Sequence, residues 1–145
     1  IFQDLSGGGE LVREVRVSLP HLPPARLDLL FRQADQPLLY MEVKNVTLLE
    51  GEALLFPDAV TLRGRKHLDI LLGLHRLGHR ARLVFALNRP EGSYFAPAWD
   101  IDPLYAARLR EVALAGVEVV ARRIAHEPEG MRMTEEVPVD LRRPC

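Results

Sequence analysis

The sequence contains a single cysteine, Cys145 at the last position, so no disulfide can form within the chain. A chain without internal disulfides is typical of a reducing compartment, and we expect a cytoplasmic protein. No apolar run approaches the roughly 18 residues of a membrane-spanning helix. The first residues also lack the basic start and apolar run of a signal peptide. The sequence therefore predicts no membrane partner.

Several chemical motifs are missing as well. No group of cysteine and histidine has the spacing of a zinc site, no glycine-rich phosphate loop follows a strand, and no serine, histidine and aspartate set stands out. Neither charge sign is in excess, since 19 Lys and Arg oppose 20 Asp and Glu for a net charge of -1. The chain as a whole does not resemble a strongly basic nucleic-acid binder, although the segment 63–67 is locally basic.

What is present suits one globular domain. The 145 residues are 48% hydrophobic, enough for a single core, and we see no internal repeat. We therefore expect one domain over residues 1–145. Because the chain begins with Ile1 and not with Met, we also expect it to be a fragment of a longer protein.

Hydrophobic periodicity predicts an α/β fold. Three strands that form an antiparallel meander are followed by alternating helices and strands, which favours right-handed crossovers and a mixed sheet sandwiched by helices. We expect residues 88–100 to be a loop and the tail from residue 138 to be poorly ordered. The predicted strands are residues 11–19, 25–32, 38–46, 81–87, 117–121 and 131–137, and the predicted helices are residues 59–77, capped by Asp58, and 103–115, capped by Asp102.

One strand carries an acid and an amine on an otherwise apolar background. Glu42 and Lys44 are two residues apart, so they share a face of the strand. If the second and third strands pair through the turn at Asp35, Asp28 approaches Glu42. Two carboxylates and a lysine in this arrangement fit a hard divalent cation and metal-assisted hydrolysis of a phosphodiester. The pattern is short, and a surface ion pair with an exposed Asp28 is the alternative.

The predicted first helix offers further candidates. Arg63, Lys66 and His67 are spaced to neighbour each other and could contact a phosphate backbone. The alternatives are a solvated helix face and, for His67, a hydrogen-bonded position at the edge of the core. Asp58 is either a helix cap or a group that works on metal or phosphate. Asn45 either orients the site or ends its strand.

Long segments of the chain resemble the sugar fermentation stimulation protein (SfsA) family. The similarity runs from about Glu14 to Ala121 and is carried by five segments in the expected order: MEVKNVTL, FPDAVTLRGRKHL, ARLVFALNRP, DIDPLYAARL and GVEVVA. The family's serine-arginine-x-aspartate segment falls on residues 25–28, with Ala25 in place of the serine and with Arg26 and Asp28 retained. Its glutamate-valine-lysine-asparagine segment falls on residues 42–45.

The resemblance implies a fold and a function. Members combine an N-terminal OB-like domain with a PD-(D/E)xK, restriction-endonuclease-like domain, and the OB-like domain is expected to be absent from this chain. The implied function is that of a DNA endonuclease, with DNA as the partner. Because nucleases of this fold often act as dimers, the resemblance also raises the expectation of a homodimer. Its Mg²⁺ or Mn²⁺ would be held by Asp28, Glu42 and the Val43 carbonyl, with Lys44 assisting. The alternative is a DNA-binding transcriptional regulator, linked to maltose metabolism, that does not cut.

Overall fold

The computed structural model describes residues 9–144. Over this range it contains nine strands and two helices, numbered separately in chain order. The strands are β1 (Glu10–Val17), β2 (Ala25–Arg32), β3 (Leu39–Val46), β4 (Leu48–Glu50), β5 (Ala53–Phe56), β6 (Arg80–Leu87), β7 (Tyr94–Pro97), β8 (Glu118–Glu127) and β9 (Gly130–Val137), and the helices are α1 (Leu62–Arg76) and α2 (Pro103–Ala115).

Six strands form the main sheet, in the order β1-β2-β3-β6-β8-β9. The first three pair antiparallel, as the predicted meander requires. β3, β6 and β8 pair in parallel, because α1 and α2 cross over between them. β9 returns antiparallel to β8. The predicted mixed α/β fold is confirmed, and its parallel strands occupy the centre of the sheet.

Both helices belong to one large core on one face of this sheet. Leu68 and Leu71 of α1 and Leu109 of α2 pack in the same cluster as Leu83 and Phe85 of β6. Within residues 9–144 the opposite face carries two smaller apolar clusters and no helix. Neither described helix has the length and apolar character that crossing a bilayer requires.

Helix α1 begins later than predicted. Its N-cap is Thr61, whose hydroxyl accepts a hydrogen bond from the Gly64 N–H at 2.9 Å. The prediction that Asp58 caps this helix was wrong, since Asp58 lies in an exposed bend three residues before the cap. Threonine is itself a favourable cap, and its side chain satisfies a donor that the helix would otherwise leave free.

Strand β7 lies within residues 88–100, which were predicted to be a loop, and it joins β4 and β5 in a second, three-stranded sheet. It has the order β4-β5-β7, and β7 pairs with β5 in parallel. Phe95 of β7 stacks on Phe85 with 4.1 Å between the ring centroids. The tail is also paired, because the Phe95 N–H donates to the Pro138 carbonyl at 2.9 Å and the Asp140 N–H donates to the Phe95 carbonyl at 2.8 Å. Burial of Phe95 thus orders two segments that we had expected to be irregular.

β1 and β2 change faces halfway along their length. Leu27 packs in the large helix-side core, whereas Leu29 packs with Leu39 and Met41 on the opposite face of the sheet. Residues two apart in a regular strand share a face, so the alternation is broken between them. Glu14, which lies between the pairs Arg13–Leu29 and Val15–Leu27, has a φ of 54°. This left-handed residue reverses the side chains of the ribbon beside Asp28.

Asp102 joins the beginnings of the two helices. Its Oδ1 accepts from the Tyr105 N–H at 3.0 Å and so caps α2. Its Oδ2 accepts from the Thr61 N–H at 2.9 Å, and Arg65 Nε lies 3.8 Å from the same oxygen. The residue is 2% exposed. One buried carboxylate therefore holds α1 against α2, although the sequence predicted only its role as a cap.

We expect Asp102→Ala to lower the free energy of unfolding by about 2 to 4 kcal/mol, because it removes a helix cap and leaves a buried N–H without its acceptor. Urea denaturation followed by circular dichroism measures the loss. Asp100→Ala, an exposed neighbour, is the matched control and is expected to change stability by less than about 0.5 kcal/mol. Equal stability of the two variants would contradict the joint described for Asp102.

Candidate metal centre

The site lies where β2 and β3 separate. Their pairing runs from Phe31–Leu39 to Leu29–Met41, and the next two residues, Asp28 and Glu42, do not continue it. Side chains take over the hydrogen bonds at this point. The Asp28 N–H donates to Glu42 Oε1 at 3.0 Å, and the Val43 N–H donates to Asp28 Oδ2 at 2.7 Å. This fork between the strands brings two carboxylates together.

Glu42 is the buried member of the pair, with 4% of its surface exposed. On its other side β3 is paired with β6, and the carboxylate contacts His67 of α1, so it is buried between the sheet and that helix. Lys44 Nζ donates to Glu42 Oε2 at 3.1 Å. His67 Nδ1 lies 2.7 Å from the same oxygen and 2.8 Å from Lys44 Nζ. These three atoms form a triangle in which Nδ1 donates to Glu42 or accepts from Lys44, according to the tautomer.

The two carboxyl groups have opposite pKa shifts. Partial burial of its carboxyl group, followed by the hydrogen bond with Glu42, raises the pKa of Asp28 to about 6. Burial alone would also raise the pKa of Glu42, but hydrogen bonds with His67 and Asp28 and the charge of Lys44 outweigh it and hold that pKa at about 2. At neutral pH both groups are ionised, and Asp28 is the one whose negative charge is poorly compensated.

The other candidate residues are spread around this fork. His67 is buried against Glu42 and is not on the basic surface where we had placed it, in agreement with the alternative position at the edge of the core. Arg63 is exposed and Lys66 half-buried at the start of α1. Asn45 is exposed and, as the residue after Lys44 on β3, faces the opposite side of the sheet. Arg26 is exposed on β2, and Asp58 stands outside α1.

Two contacts were missed from the sequence. The Thr61 N–H to Asp102 bond joins residues 41 positions apart, and no local pattern marks it. The contact between His67 and Glu42 had a signal, because a histidine near the apolar stripe of α1 must face the sheet on which Glu42 lies. The Thr61 cap could also have been recognised from its residue type and its place before the helix.

The donors present fit a hard cation. Within residues 9–144 no group of three or more His, Cys, Asp or Glu side chains is placed to hold a metal ion. Two adjacent carboxylates remain, and Mg²⁺ is commonly bound by one or two carboxylates together with water and substrate phosphates. The raised pKa of Asp28 indicates negative charge that a cation would offset. Asp28 and Glu42 are therefore the side chains that could hold such an ion.

The mixed sheet, its crossover helices and an aspartate next to a Glu-x-Lys strand define the restriction-endonuclease-like class of fold. A family model described as the sugar fermentation stimulation protein RE domain matches residues 1–130. The chain belongs to the sugar fermentation stimulation protein family, and the resemblance noted in its sequence is confirmed.

Relatives support this assignment over most of the chain. A sugar fermentation stimulation protein homolog of Geotalea uraniireducens (strain Rf4) is 52% identical over 117 residues, which are 81% of this chain and 50% of that protein. A homolog of Shewanella sp. (strain MR-4) is 42% identical over 139 residues, 96% of this chain and 58% of that protein. The chain thus spans 50% and 58% of the length of these two relatives.

A solved structure has the same fold. Pyrococcus furiosus SfsA, described in complex with Ca²⁺, superimposes with a TM-score of 0.77 and 33% sequence identity. The match covers 92% of this chain and 56% of that one. The family and the fold class are therefore established.

We expect Asp28→Asn to stabilise the metal-free protein at pH 7.5 by on the order of 1 kcal/mol, because it removes a poorly compensated negative charge that solvent partly screens. The folded-state pKa of Asp28 is about 6, above its ordinary value of 3.8. Its neutral carboxyl group therefore contributes to the free energy of unfolding in full below pH 4, and this contribution is lost as the pH rises through 6 and the group ionises. Thermal melts in EDTA between pH 4 and 8 measure the difference in melting temperature between the wild type and Asp28→Asn.

Asp35→Asn, in an exposed turn, is the matched control and should follow the wild-type pH profile. A difference between wild type and Asp28→Asn that stays constant from pH 4 to 8 would show that Asp28 does not have the raised pKa.

Proposed function

We propose that this chain is a metal-dependent nuclease domain that hydrolyses phosphodiester bonds in DNA. The observation that carries the proposal is the fork between β2 and β3, where Asp28, Glu42 and Lys44 meet although Asp28 is 14 residues from Glu42 in sequence. A surface ion pair would not require the Glu42 carboxylate to be buried. The family description as an RE domain supports the same reading.

Asp28 and Glu42 would hold Mg²⁺ or Mn²⁺, with the Val43 carbonyl as a third donor. The Ca²⁺ in the Pyrococcus furiosus relative supports a divalent cation here, because Ca²⁺ and Mg²⁺ both take oxygen ligands. When bound, such an ion lowers the pKa of a water molecule and offsets the charge of the phosphate. The backbone N–H groups of Asp28 and Val43 hold the two carboxylates in place, so their geometry does not depend on flexible side chains.

Lys44 would supply positive charge at the reacting phosphate. Its ammonium is held 3.1 Å from Glu42 Oε2 and 2.8 Å from His67 Nδ1, so two contacts fix its position beside the carboxylates. A preorganised cation stabilises the charge that develops on phosphate oxygens. His67 touches Glu42 and Lys44 and is a positioning residue in this scheme. Arg63 and Lys66, at the start of the same helix, would contact the DNA backbone.

A second candidate function is a DNA-binding regulator, linked to sugar metabolism, that does not cut. One observation favours it: the Glu42 carboxylate already has three hydrogen-bonding or ionic partners, in the Asp28 N–H, Lys44 and His67. A buried carboxylate paired in this way is stable without a cation. DNA is the partner in both proposals, and a homodimer is compatible with either.

We expect the 145-residue chain to nick supercoiled plasmid in Mg²⁺ or Mn²⁺ and not in EDTA. Lys44→Ala should lower the rate by about 100-fold or more, the effect of removing one preorganised charge from such a site. Arg76→Ala is the control, since it removes an exposed positive charge from the far end of α1. Nicking that persists at full rate in Lys44→Ala would refute the role of Lys44, and DNA binding without nicking would favour the regulator.

Divalent cations are also expected to raise the melting temperature of the wild-type chain, because an ion that binds only the folded state stabilises it. Asp28→Asn should abolish the increase, whereas Asp35→Asn should retain it. Differential scanning calorimetry with Ca²⁺ in place of EDTA measures this without any dependence on cleavage. An equal increase in Asp28→Asn would place the ion elsewhere.

A further inference from the structure

The face change in β1 and β2 gathers three arginines on one surface. Val15 and Val17 pack on the helix-side core, so Arg16 faces the opposite side, and Arg26 lies directly across from Arg16. Arg13 lies opposite Leu29, which is buried on that same opposite side. In an unbroken strand, Arg13 and Arg16 would point to different faces. Glu14, with its φ of 54°, is the residue that brings them together.

This arginine strip, formed by Arg13, Arg16 and Arg26, has no acidic partner among residues 9–144. All three residues are exposed, and within the described part of the chain none of their side chains takes part in a hydrogen bond or an ion pair. Other arginines of the main sheet do have acidic partners; Arg80 and Arg82 on β6 and Arg123 on β8 are examples. Like charges directly across an antiparallel pair are destabilising. The left-handed backbone conformation of Glu14 is also unfavourable. The fold therefore retains this arrangement despite a repulsive arginine pair and a strained backbone residue.

The strip borders the fork that holds the candidate metal centre. Arg26 is two residues before Asp28 on β2, which corresponds to about 7 Å along a strand. On the other side of the carboxylates, α1 presents Arg63, which is exposed, and Lys66, which is half-buried. Positive charge therefore flanks the fork on both sides, whereas the fork itself is lined by carboxylates. A polyanion with regularly spaced charges complements this arrangement.

We propose that Arg13, Arg16 and Arg26 bind consecutive phosphates of a DNA strand and hold it along the β1–β2 ribbon as it enters the fork. This inference rests on the proposed function in its choice of DNA as the partner, and it does not require that the chain cuts. Arginine suits the task because its guanidinium presents paired N–H donors to phosphate oxygens. Such contacts position the strand and carry no sequence information, so binding through the strip is independent of sequence.

The test is fluorescence anisotropy of a labelled DNA duplex in EDTA, where no metal-dependent cleavage occurs, titrated with the 145-residue chain at several salt concentrations. Arg16→Gln/Arg26→Gln is compared with Arg76→Gln/Arg110→Gln, which removes the same charge from two exposed arginines on the helices. Each phosphate contact adds about 0.9 to the slope of log affinity against log salt. The strip variant should therefore lose about 2 from the slope and about tenfold in affinity at 0.1 M salt.

The outcomes separate this inference from the proposed function. Equal slopes and affinities for the two double variants would overturn the strip and leave nuclease activity to the plasmid assay. A reduced slope confined to the strip variant would support the strip even if the plasmid is never nicked. No DNA binding by the wild-type chain in EDTA would overturn the strip, whereas the proposed function is decided by the plasmid assay in Mg²⁺ or Mn²⁺. The strip variant should melt at or above the wild-type temperature, because it relieves a repulsive cross-strand pair, and a lower melting temperature would contradict that the pair is repulsive.

Discussion

The burial of one carboxylate sets the requirements for much of this structure. Glu42 is buried between the sheet and α1, where an unpaired charge would cost several kcal/mol. The fold meets that cost with three groups from three elements: a backbone N–H of β2, the ammonium of Lys44 on β3, and the imidazole of His67 on α1. Of these three groups, Lys44 is the one close to Glu42 in sequence. The position of α1 over the sheet and the separation of β2 from β3 are both needed to satisfy Glu42.

The same requirement explains why the helix junction matters to the site. His67 reaches Glu42 only if α1 keeps its rotation and height above the sheet. That placement is held at the N-terminus of α1 by Asp102, and the apolar side of α1 is packed into the large core. A carboxylate that caps one helix while accepting from the cap residue of another couples two crossovers of the sheet. The candidate metal centre is thus supported by an element, α2, that supplies none of its side chains.

Much of the fold and half of the site followed from the sequence because they depend on local patterns. Alternating apolar residues marked the main strands, and the turn at Asp35 sufficed to bring Asp28 towards Glu42. Hydrophobic periodicity could not reveal the face change at Glu14, because that change violates the period of two on which the prediction is based. It also missed β7, whose pairing partner β5 lies about 40 residues earlier, and the Thr61 to Asp102 contact. Long-range hydrogen bonds leave no local trace.

The fork has a mechanical consequence. Among the described residues β2 has two parts: its second half pairs with both β1 and β3, whereas its first half pairs with β1 alone and packs towards α1. Asp28 lies at the boundary between the two parts. A bend of the β1–β2 ribbon at Asp28 would therefore change the distance between the carboxyl groups of Asp28 and Glu42.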